Sequence, residues 1–409
     1  MTALNRELVE WLHQLAGNVP AIGQLLSRSE ASQLEAGYYH TLREICQQPI
    51  TWKETAGRVV GQEKRLRELL EGASGNGPAK AIVLTGSGSS FFAGECLAPA
   101  LQEELELPVT CVTGGAFLTH GRRAAPPCHP CLFVSLARSG DSPESCEAVN
   151  LLLEQDVQCR HLFVTCNERG KLAINYRDMA GVFPLVLDDN TNDRSLVMTS
   201  SFTNMVLATR YLGWLGRADE YRAVAGRLSG LAREVLTGYA QPLAEMGGNE
   251  LELAVYLGSG SAFGAAREAA LKMLEMSGGR VKTLAETYLG LRHGPMAVLH
   301  PGALVVCFLS SSNRARAYEL DLIRELDRKQ LGARKIVVGA EIPEEVLREG
   351  DLGVVCPGLG SVGDYNAPLI HVLVGQVLAL FQCMAVGLQP DAPSARGIIN
   401  RVVEQFPVY

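Results

Sequence analysis

Basic charge is in deficit along this chain: 37 Lys and Arg stand against 44 Asp and Glu over 409 residues, a net charge of −7. A surface without a positive field has no general means of holding nucleic acid or anionic lipid. Neither is expected as a partner, and an anionic ligand has to be gripped by local chemistry. A secretory start is also lacking, because Met1-Thr2-Ala3-Leu4-Asn5-Arg6-Glu7 has no basic cluster followed by an uninterrupted apolar stretch. The 11 cysteines are odd in number and scattered without framework spacing. A chain this large does not need disulfide staples, so a reducing, cytoplasmic setting is expected. One uncharged stretch, residues 367–388, is long enough to span a bilayer, but His371, Gln376 and Gln382 interrupt it and no basic flank anchors it. It reads as a buried core or dimer-interface helix, with no membrane expected.

What is present is ordinary globular composition: 47% hydrophobic, 20% charged, Gly 42 and Pro 19. The length favours two domains over one core. Residues 1 to about 71 place apolar side chains at helical spacing, as in Lys64-Arg65-Leu66-Arg67-Glu68-Leu69-Leu70-Glu71, and predict helices. Residues 72–78, rich in glycine, break that pattern. Short apolar runs at 81–84, 131–135 and 161–165 then read as buried strands separated by helix-length segments. Alternation of this kind gives a parallel sheet with crossover helices.

The strongest organisational signal is a repeat. Leu84-Thr85-Gly86-Ser87-Gly88-Ser89-Ser90-Phe91 is echoed by Tyr256-Leu257-Gly258-Ser259-Gly260-Ser261-Ala262-Phe263, an offset of 172 residues (258 minus 86). That is a duplicated domain, far longer than a solenoid period of roughly 20–50 residues. The boundary is expected between Leu212 and Asn249, in a helical connection that starts near Gly216. The expected division is a helical extension over 1–50, a first domain over 51–216, a second over 217–390 and a tail over 391–409.

Gly86-Ser87-Gly88-Ser89-Ser90 falls at the carboxyl end of a strand and before a helix, where open α/β sheets bind ligands. Small residues let the backbone approach a phosphate, the helix N-terminus offers N–H donors, and the Ser89 and Ser90 hydroxyls add more. The turn lacks a P-loop lysine, and Phe91 in its sixth position breaks the dinucleotide fingerprint. A second turn, Ser135-Leu136-Ala137-Arg138-Ser139-Gly140-Asp141-Ser142-Pro143-Glu144-Ser145, and a third cluster, Arg194-Ser195-Leu196-Val197-Met198-Thr199-Ser200-Ser201, repeat the chemistry. Each hydroxyl could equally cap a helix. Together they favour a polyhydroxy, phosphorylated ligand.

These turns, with Glu268-Ala269-Ala270-Leu271-Lys272-Met273-Leu274-Glu275 and Arg292-His293-Gly294-Pro295-Met296-Ala297, resemble the sugar isomerase (SIS) domain family. The last two segments are similar to active-site motifs in the isomerase half of glucosamine-6-phosphate synthase. Residues 137–145, Ser200-Ser201-Phe202-Thr203-Asn204 and the tail Asn400-Arg401-Val402-Val403 resemble the branch of tagatose-6-phosphate ketose/aldose isomerases and galactosamine-6-phosphate deaminases. The resemblance implies two tandem SIS domains of α/β class, each a flavodoxin-like, doubly wound parallel sheet flanked by helices, with the active site where the two sets of loops meet.

Glu268, Lys272 and Glu275 are spaced i, i+4 and i+7 and share one helix face. Flanking alanines suggest a packed helix, in which a desolvated carboxylate becomes a fit general base. By resemblance, Glu275 moves the proton between carbons 1 and 2 of the open-chain sugar, Lys272 is its neighbouring lysine, and Glu268 supports them. His293, in a Gly-Pro turn, would open the sugar ring. In the synthase that histidine comes from the neighbouring subunit, which implies a homodimer or higher homo-oligomer. Phosphate would be anchored by Ser90, Ser139, Ser142 and nearby donors, and Ser89, Arg138, Thr199, Ser200 and Arg401 complete the expected substrate-binding set.

Three departures bear on the activity. Ala137 and Arg138 replace the synthase's serine and glutamine, and Arg401 replaces its imine-forming lysine, which a permanently protonated guanidinium cannot mimic. A glutaminase half is also missing. The expected reaction is therefore conversion of galactosamine 6-phosphate to tagatose 6-phosphate and ammonia, without cofactor or metal. A plain tagatose-6-phosphate isomerase and a non-catalytic sugar-phosphate sensor are the alternatives. Cys128-His129-Pro130-Cys131 invites a redox or zinc reading, but its second cysteine enters a strand and no second pair stands at zinc-ligand spacing, so no role is expected for it.

Overall fold

In this computed structural model, residues 3–72, 77–156 and 158–407 are described. Residues 73–76 of the glycine-rich break and the last two of the tail lie outside them. The chain separates into two compact units. One comprises residues 51–193, 198–226 and 399–409; the other comprises 1–50, 194–197 and 227–398. We call them the first-sheet and second-sheet units.

The first-sheet unit is built on β1 (Ala81–Gly86), β2 (Val109–Thr113), β3 (Cys131–Ala137), β4 (Arg160–Thr165) and β5 (Val182–Val186). All pair in parallel, in the order β2-β1-β3-β4-β5. Every residue of β1, β3 and β4 is buried, as a central strand covered on both faces requires. The apolar runs at 81–84, 131–135 and 161–165 are these three strands.

The second-sheet unit repeats the design with β6 (Leu253–Leu257), β7 (Lys282–Glu286), β8 (Ala303–Phe308), β9 (Arg334–Gly339) and β10 (Leu352–Val355). Its order, β7-β6-β8-β9-β10, is the same five-strand winding, the flavodoxin-like arrangement expected from the repeat. Ala81 and Leu253 open equivalent strands, as do Cys131 and Ala303, and each pair is 172 residues apart. The duplication extends to backbone torsions. Gly88 caps the Ser89–Leu105 helix at φ 56°, ψ −126°, and Gly260 caps the Ser261–Met276 helix at φ 56°, ψ −129°. Only glycine adopts that conformation without strain.

The N-terminal residues form six helices between Ala3 and Glu71. Those up to residue 50 belong to the second-sheet unit, where Trp11 Nε1 donates to the Cys46 carbonyl (2.7 Å) and Gln48 Nε2 to Gln376 Oε1 (2.7 Å). The passage between units at Gly226 and Arg227 falls inside the Ala218–Gly247 helix.

The uncharged stretch forms the Pro368–Ala385 helix, long and apolar enough to cross a membrane but with 83% of its residues buried within the protein. It packs on the Ser261–Met276 helix. A Cβ on Gly375 would lie 2.6 Å from the Ala269 Cβ, so glycine is what allows this approach. The apolar helix is thus the platform on which the Glu268-Lys272-Glu275 face is held.

Candidate functional site

In the first-sheet unit, the turn after β1 is set by glycines. A Cβ on Gly86 would stand 2.6 Å from the Ser90 Cβ, so the chain can fold back over its own helix start only without one. Ser89 and Ser90 open the Ser89–Leu105 helix and are buried. The hydroxyls of Thr85, Ser87 and Ser135 are buried at the carboxyl ends of β1 and β3 with no protein partner. Thr85, Gly86, Gly114, Ser135 and Ser145 line a small cleft there. Unpaired buried hydroxyls are costly, and a cleft edged by them suits a ligand rich in oxygen.

The turn after β3 is more tightly tied. Asp141 N donates to Ser139 Oγ (3.3 Å), and Asn167 Nδ2 donates to the Ser139 carbonyl (2.9 Å). Lys171 N donates to Asp141 Oδ1 (3.0 Å). Gly140 bends the chain at φ 66°. Ser142 is the N-cap of the Pro143–Gln155 helix, its Oγ accepting from Ser145 N at 3.2 Å. The capping role considered for these serines is therefore real for Ser142, and its position still aims N–H groups out of a helix start.

Arg138 is buried, and its Nη2 donates to the Arg401 carbonyl (2.6 Å). Arg401 in turn donates from Nε to the Asp193 carbonyl (2.8 Å) and from Nη2 to Asn192 Oδ1 (2.7 Å). The tail is thereby tied down over the loop after β5. Much of Arg401's donor capacity goes to protein partners.

The third hydroxyl cluster is divided between the units. Glu44 accepts from Arg194 N (2.5 Å) and from the Ser195 hydroxyl in the second-sheet unit. In the first-sheet unit, Thr199, Ser200 and Ser201 are fully buried around the Asp193 carboxylate. That carboxylate accepts from Thr199 N (2.7 Å), Ser200 N (3.0 Å), Ser201 N (2.9 Å) and Ser201 Oγ (2.5 Å). Asp193 thus fills the N-terminus of the Ser200–Arg210 helix as an internal anion, the position a phosphate would want. Sequence reading missed Asp193. The one available signal was an acidic residue shortly before three consecutive hydroxyls, a helix-start pattern.

In the second-sheet unit, the turn equivalent to the Ser139 turn is Ser310-Ser311-Ser312, and it too is filled from within. Ser311 N donates to Asp364 Oδ1 (2.7 Å), the Ser310 hydroxyl donates to the same carboxylate, and Ser310 N donates to Glu319 Oε2 (2.8 Å). Burial raises the Glu319 carboxyl above the usual carboxylate range. Two carboxylates at this turn repel an incoming phosphate. Among the described residues, no carboxylate accepts from the Ser139 or Ser142 hydroxyl of the turn beyond β3, whose own Asp141 accepts from Asn167 and Lys171 instead.

The predicted acid–base face is on the Ser261–Met276 helix. Glu268 and Lys272 are fully buried, with Lys272 Nζ 3.4 Å from Glu268 Oε1 and 2.5 Å from Glu275 Oε2. The Glu275 side chain is 22% exposed. One ammonium therefore faces two carboxylates, Glu268 sealed and Glu275 reaching solvent. His293 stands exposed on the turn beyond the Tyr288–Leu291 helix, held by its own N–H to the Gly290 carbonyl (2.9 Å). Gly294 follows at φ 125°. Arg292 anchors this segment through Asp321 (2.6 Å) and Glu325 (2.7 Å). Among the described residues no hydrogen bond or ion pair joins His293 to Lys272 or Glu275. Two other histidines are core residues: His161 stacks on Phe133 and His371 on Phe308, and burial pushes each down to about 4.

No family model matches the chain. It is 34% identical over 372 residues to the D-galactosamine-6-phosphate deaminase of Escherichia coli, covering 89% of this chain and 94% of that protein. It is 32% identical over 388 residues to the deaminase of the same name from a Shewanella species, covering 94% and 95%. Among solved structures, the tagatose-6-phosphate ketose/aldose isomerase of Escherichia coli superimposes with a TM-score of 0.78 at 32% identity, over 86% of this chain and 95% of the other.

Proposed function

The chain belongs to the SIS-domain sugar isomerase family, and on that footing we propose that it is a deaminating aldose–ketose isomerase converting galactosamine 6-phosphate and water to tagatose 6-phosphate and ammonia. The observation that carries this reading is the Lys272–Glu275 pair, a carboxylate open to solvent and held 2.5 Å from a buried ammonium. A base so placed can take a proton from carbon and return it without leaving its seat. The names of the two deaminases favour an amino sugar over a plain one.

The roles follow from the chemistry. N–H groups and hydroxyls of Ser89, Ser90, Ser139 and Ser142, with the unpaired hydroxyls of Thr85, Ser87 and Ser135, take the phosphate, while Arg138 adds cationic charge and holds the tail. His293 moves the proton from the anomeric hydroxyl to the ring oxygen and opens the sugar. Glu275 removes the proton from C2, giving an enolamine, and returns it to C1. The product is a ketimine at C2. Water adds to its C=N bond, the C–N bond breaks, and ammonia leaves with the proton count balanced. Lys272 holds the Glu275 carboxylate in position through their 2.5 Å ion pair, with Glu268 as its second counter-charge. Arg401 and the buried Thr199 and Ser200 act by shaping the loop after β5 rather than by touching phosphate.

Galacto rather than gluco configuration is part of the proposal, as are a cytoplasmic setting, supported by eleven free cysteines, and a homodimer or larger oligomer in which an exposed His293 serves a neighbouring copy. Tagatose-6-phosphate isomerisation without deamination is the second reading, favoured by the name of the superimposable Escherichia coli structure. The test is Glu275→Gln. It should bind galactosamine 6-phosphate with near-normal affinity and turn it over at least about 100-fold more slowly, the lower range for loss of a general base. Near-normal turnover removes Glu275 from the mechanism.

A further inference from the structure

The end of the first sheet opposite the Gly/Ser turns carries a second cluster of chemistry that the sugar reaction does not use. Cys131 opens β3, and Cys128 and His129 precede it. Asp156 closes the Pro143–Gln155 helix, and Cys159 stands just before β4. The Cys128 and Cys131 sulfurs are 3.6 Å apart. Cys131 N donates to Cys159 Sγ (3.4 Å), which brings the third sulfur against the same strand end. One ring nitrogen of His129, the Asp156 carboxylate and Cys159 Sγ lie within 4.8 Å of one another.

We propose that Cys128, Cys131, Cys159 and His129 bind a structural zinc ion. Two Zn–S bonds of about 2.3 Å at a tetrahedral angle place their sulfurs about 3.8 Å apart. The 3.6 Å separation of Cys128 and Cys131 is close to that edge, and far from the roughly 2.05 Å of a disulfide. A sulfur-rich set with one imidazole selects Zn²⁺ over hard cations, and four protein ligands leave no open position for chemistry.

The surroundings supply what such a site needs beyond its ligands. Asp156 is 3.0 Å from His129 Nδ1 and 2.6 Å from Arg122 Nε. Arg122 Nη2 is 3.5 Å from Cys131 Sγ and donates to the Cys128 carbonyl (3.0 Å). Three thiolates and a neutral imidazole around Zn²⁺ leave one negative charge, and the Arg122 guanidinium is placed to offset it. Asp156 holds both the ring and that guanidinium, the supporting-shell role of a carboxylate at metal sites. Spacing along the chain hid the third thiol, because Cys159 follows Cys131 by a helix and returns to it only through strand pairing.

The site would clamp the loop before β3 to the loop before β4, away from the carboxyl ends where sugar phosphate is bound. It therefore acts on stability and not on catalysis. The test uses the full chain purified without chelator. Elemental analysis should find one zinc per chain. Cobalt exchanged for zinc should give an intense thiolate-to-metal band in the near ultraviolet and the visible spectrum of a tetrahedral ion. Cys159→Ser should lose stoichiometric zinc, while Cys111→Ser on β2 keeps it. Stripping the zinc should lower the melting temperature and leave kcat per folded molecule unchanged. Wild-type protein that takes up neither zinc nor cobalt, or that is isolated with Cys128 and Cys131 joined as a stable disulfide, overturns the proposal. Loss of kcat in folded, zinc-free protein overturns the structural role. The wild-type spectra decide the matter even if Cys159→Ser does not fold.

Discussion

Lys272 is the residue whose removal should hurt most. Its ammonium is fully buried between Glu268 at 3.4 Å and Glu275 at 2.5 Å, and the Glu268 side chain is itself sealed from solvent. Lys272→Met preserves length and apolar stem but removes the ammonium that faces the buried Glu268 carboxylate at 3.4 Å. Removing one partner of a buried pair costs about 3–5 kcal/mol. A 150–250-residue domain loses roughly 2–4 °C of melting temperature per kcal/mol, so the transition containing the second sheet should drop by about 6–20 °C. The loss should be specific to the stripe. Glu268→Gln in the same background removes the charge that faced the lysine and should recover part of the stability, a coupling that a double-mutant cycle followed by circular dichroism would read. Turnover should stay low in the double variant because Glu275 still lacks its partner. A Lys272→Met protein that melts within 2 °C of the parent, roughly 1 kcal/mol or less, would refute the view of this lysine as a buried counter-ion.

Further expectations follow from the same geometry. Ser139→Ala and Ser142→Ala should each weaken sugar-phosphate binding by about 0.5–3 kcal/mol; Ser142→Ala should also cost about 1 kcal/mol of stability because it caps a helix, and unchanged affinity in both would show the turn to be structural only. Asp364→Ala, at the plugged turn of the second sheet, should leave the KM for sugar phosphate unchanged, since that turn does not take the phosphate. Arg401→Ala should alter affinity without abolishing ammonia release, because the residue ties Asn192 and Asp193 and forms no covalent bond. Acid should destabilise the fold through two buried histidines: His161 and His371 are pushed down to about 4 by burial, so the unfolded chain binds more protons below about 6.5. Stability should be complete above pH 6.5 and fall by up to about 3 kcal/mol per histidine towards pH 4. The urea midpoint measured across that range should flatten in His371→Phe, and an unchanged slope would contradict the assignment.

Much of the architecture was legible because it depends on local pattern. The runs at 81–84, 131–135 and 161–165 are buried strands since three or more consecutive apolar residues between glycine-rich turns have few other uses. The Gly-Ser-Gly echo at 86–88 and 258–260 reported the duplication because its backbone demands glycine at φ near 56° in both copies. The i, i+4, i+7 charges could be recognised as a packed face from the alanines around them. What was not legible depends on which side chains meet, whether near or far along the chain. Thr199 and Ser201 look like ligand hydroxyls until Asp193 is seen to accept from them, and Ser195 until Glu44 does. The turn at Ser310 is filled by Asp364, 54 residues further on, a distance no motif spans. The N-terminal helices to residue 50 belong with the sheet that begins some two hundred residues later, a pairing set by packing that periodicity does not report.

The central claim is that the nitrogen lost in the reaction comes from the substrate itself, and product stoichiometry tests it most directly. The protein should be incubated separately with galactosamine 6-phosphate, glucosamine 6-phosphate and tagatose 6-phosphate, with ammonia and sugar products measured independently in each. The account predicts that galactosamine 6-phosphate yields ammonia and ketose in equal amounts, at a higher catalytic efficiency than the gluco epimer. Interconversion of tagatose 6-phosphate with its aldose at the higher efficiency, with no ammonia from either amino sugar, would contradict it.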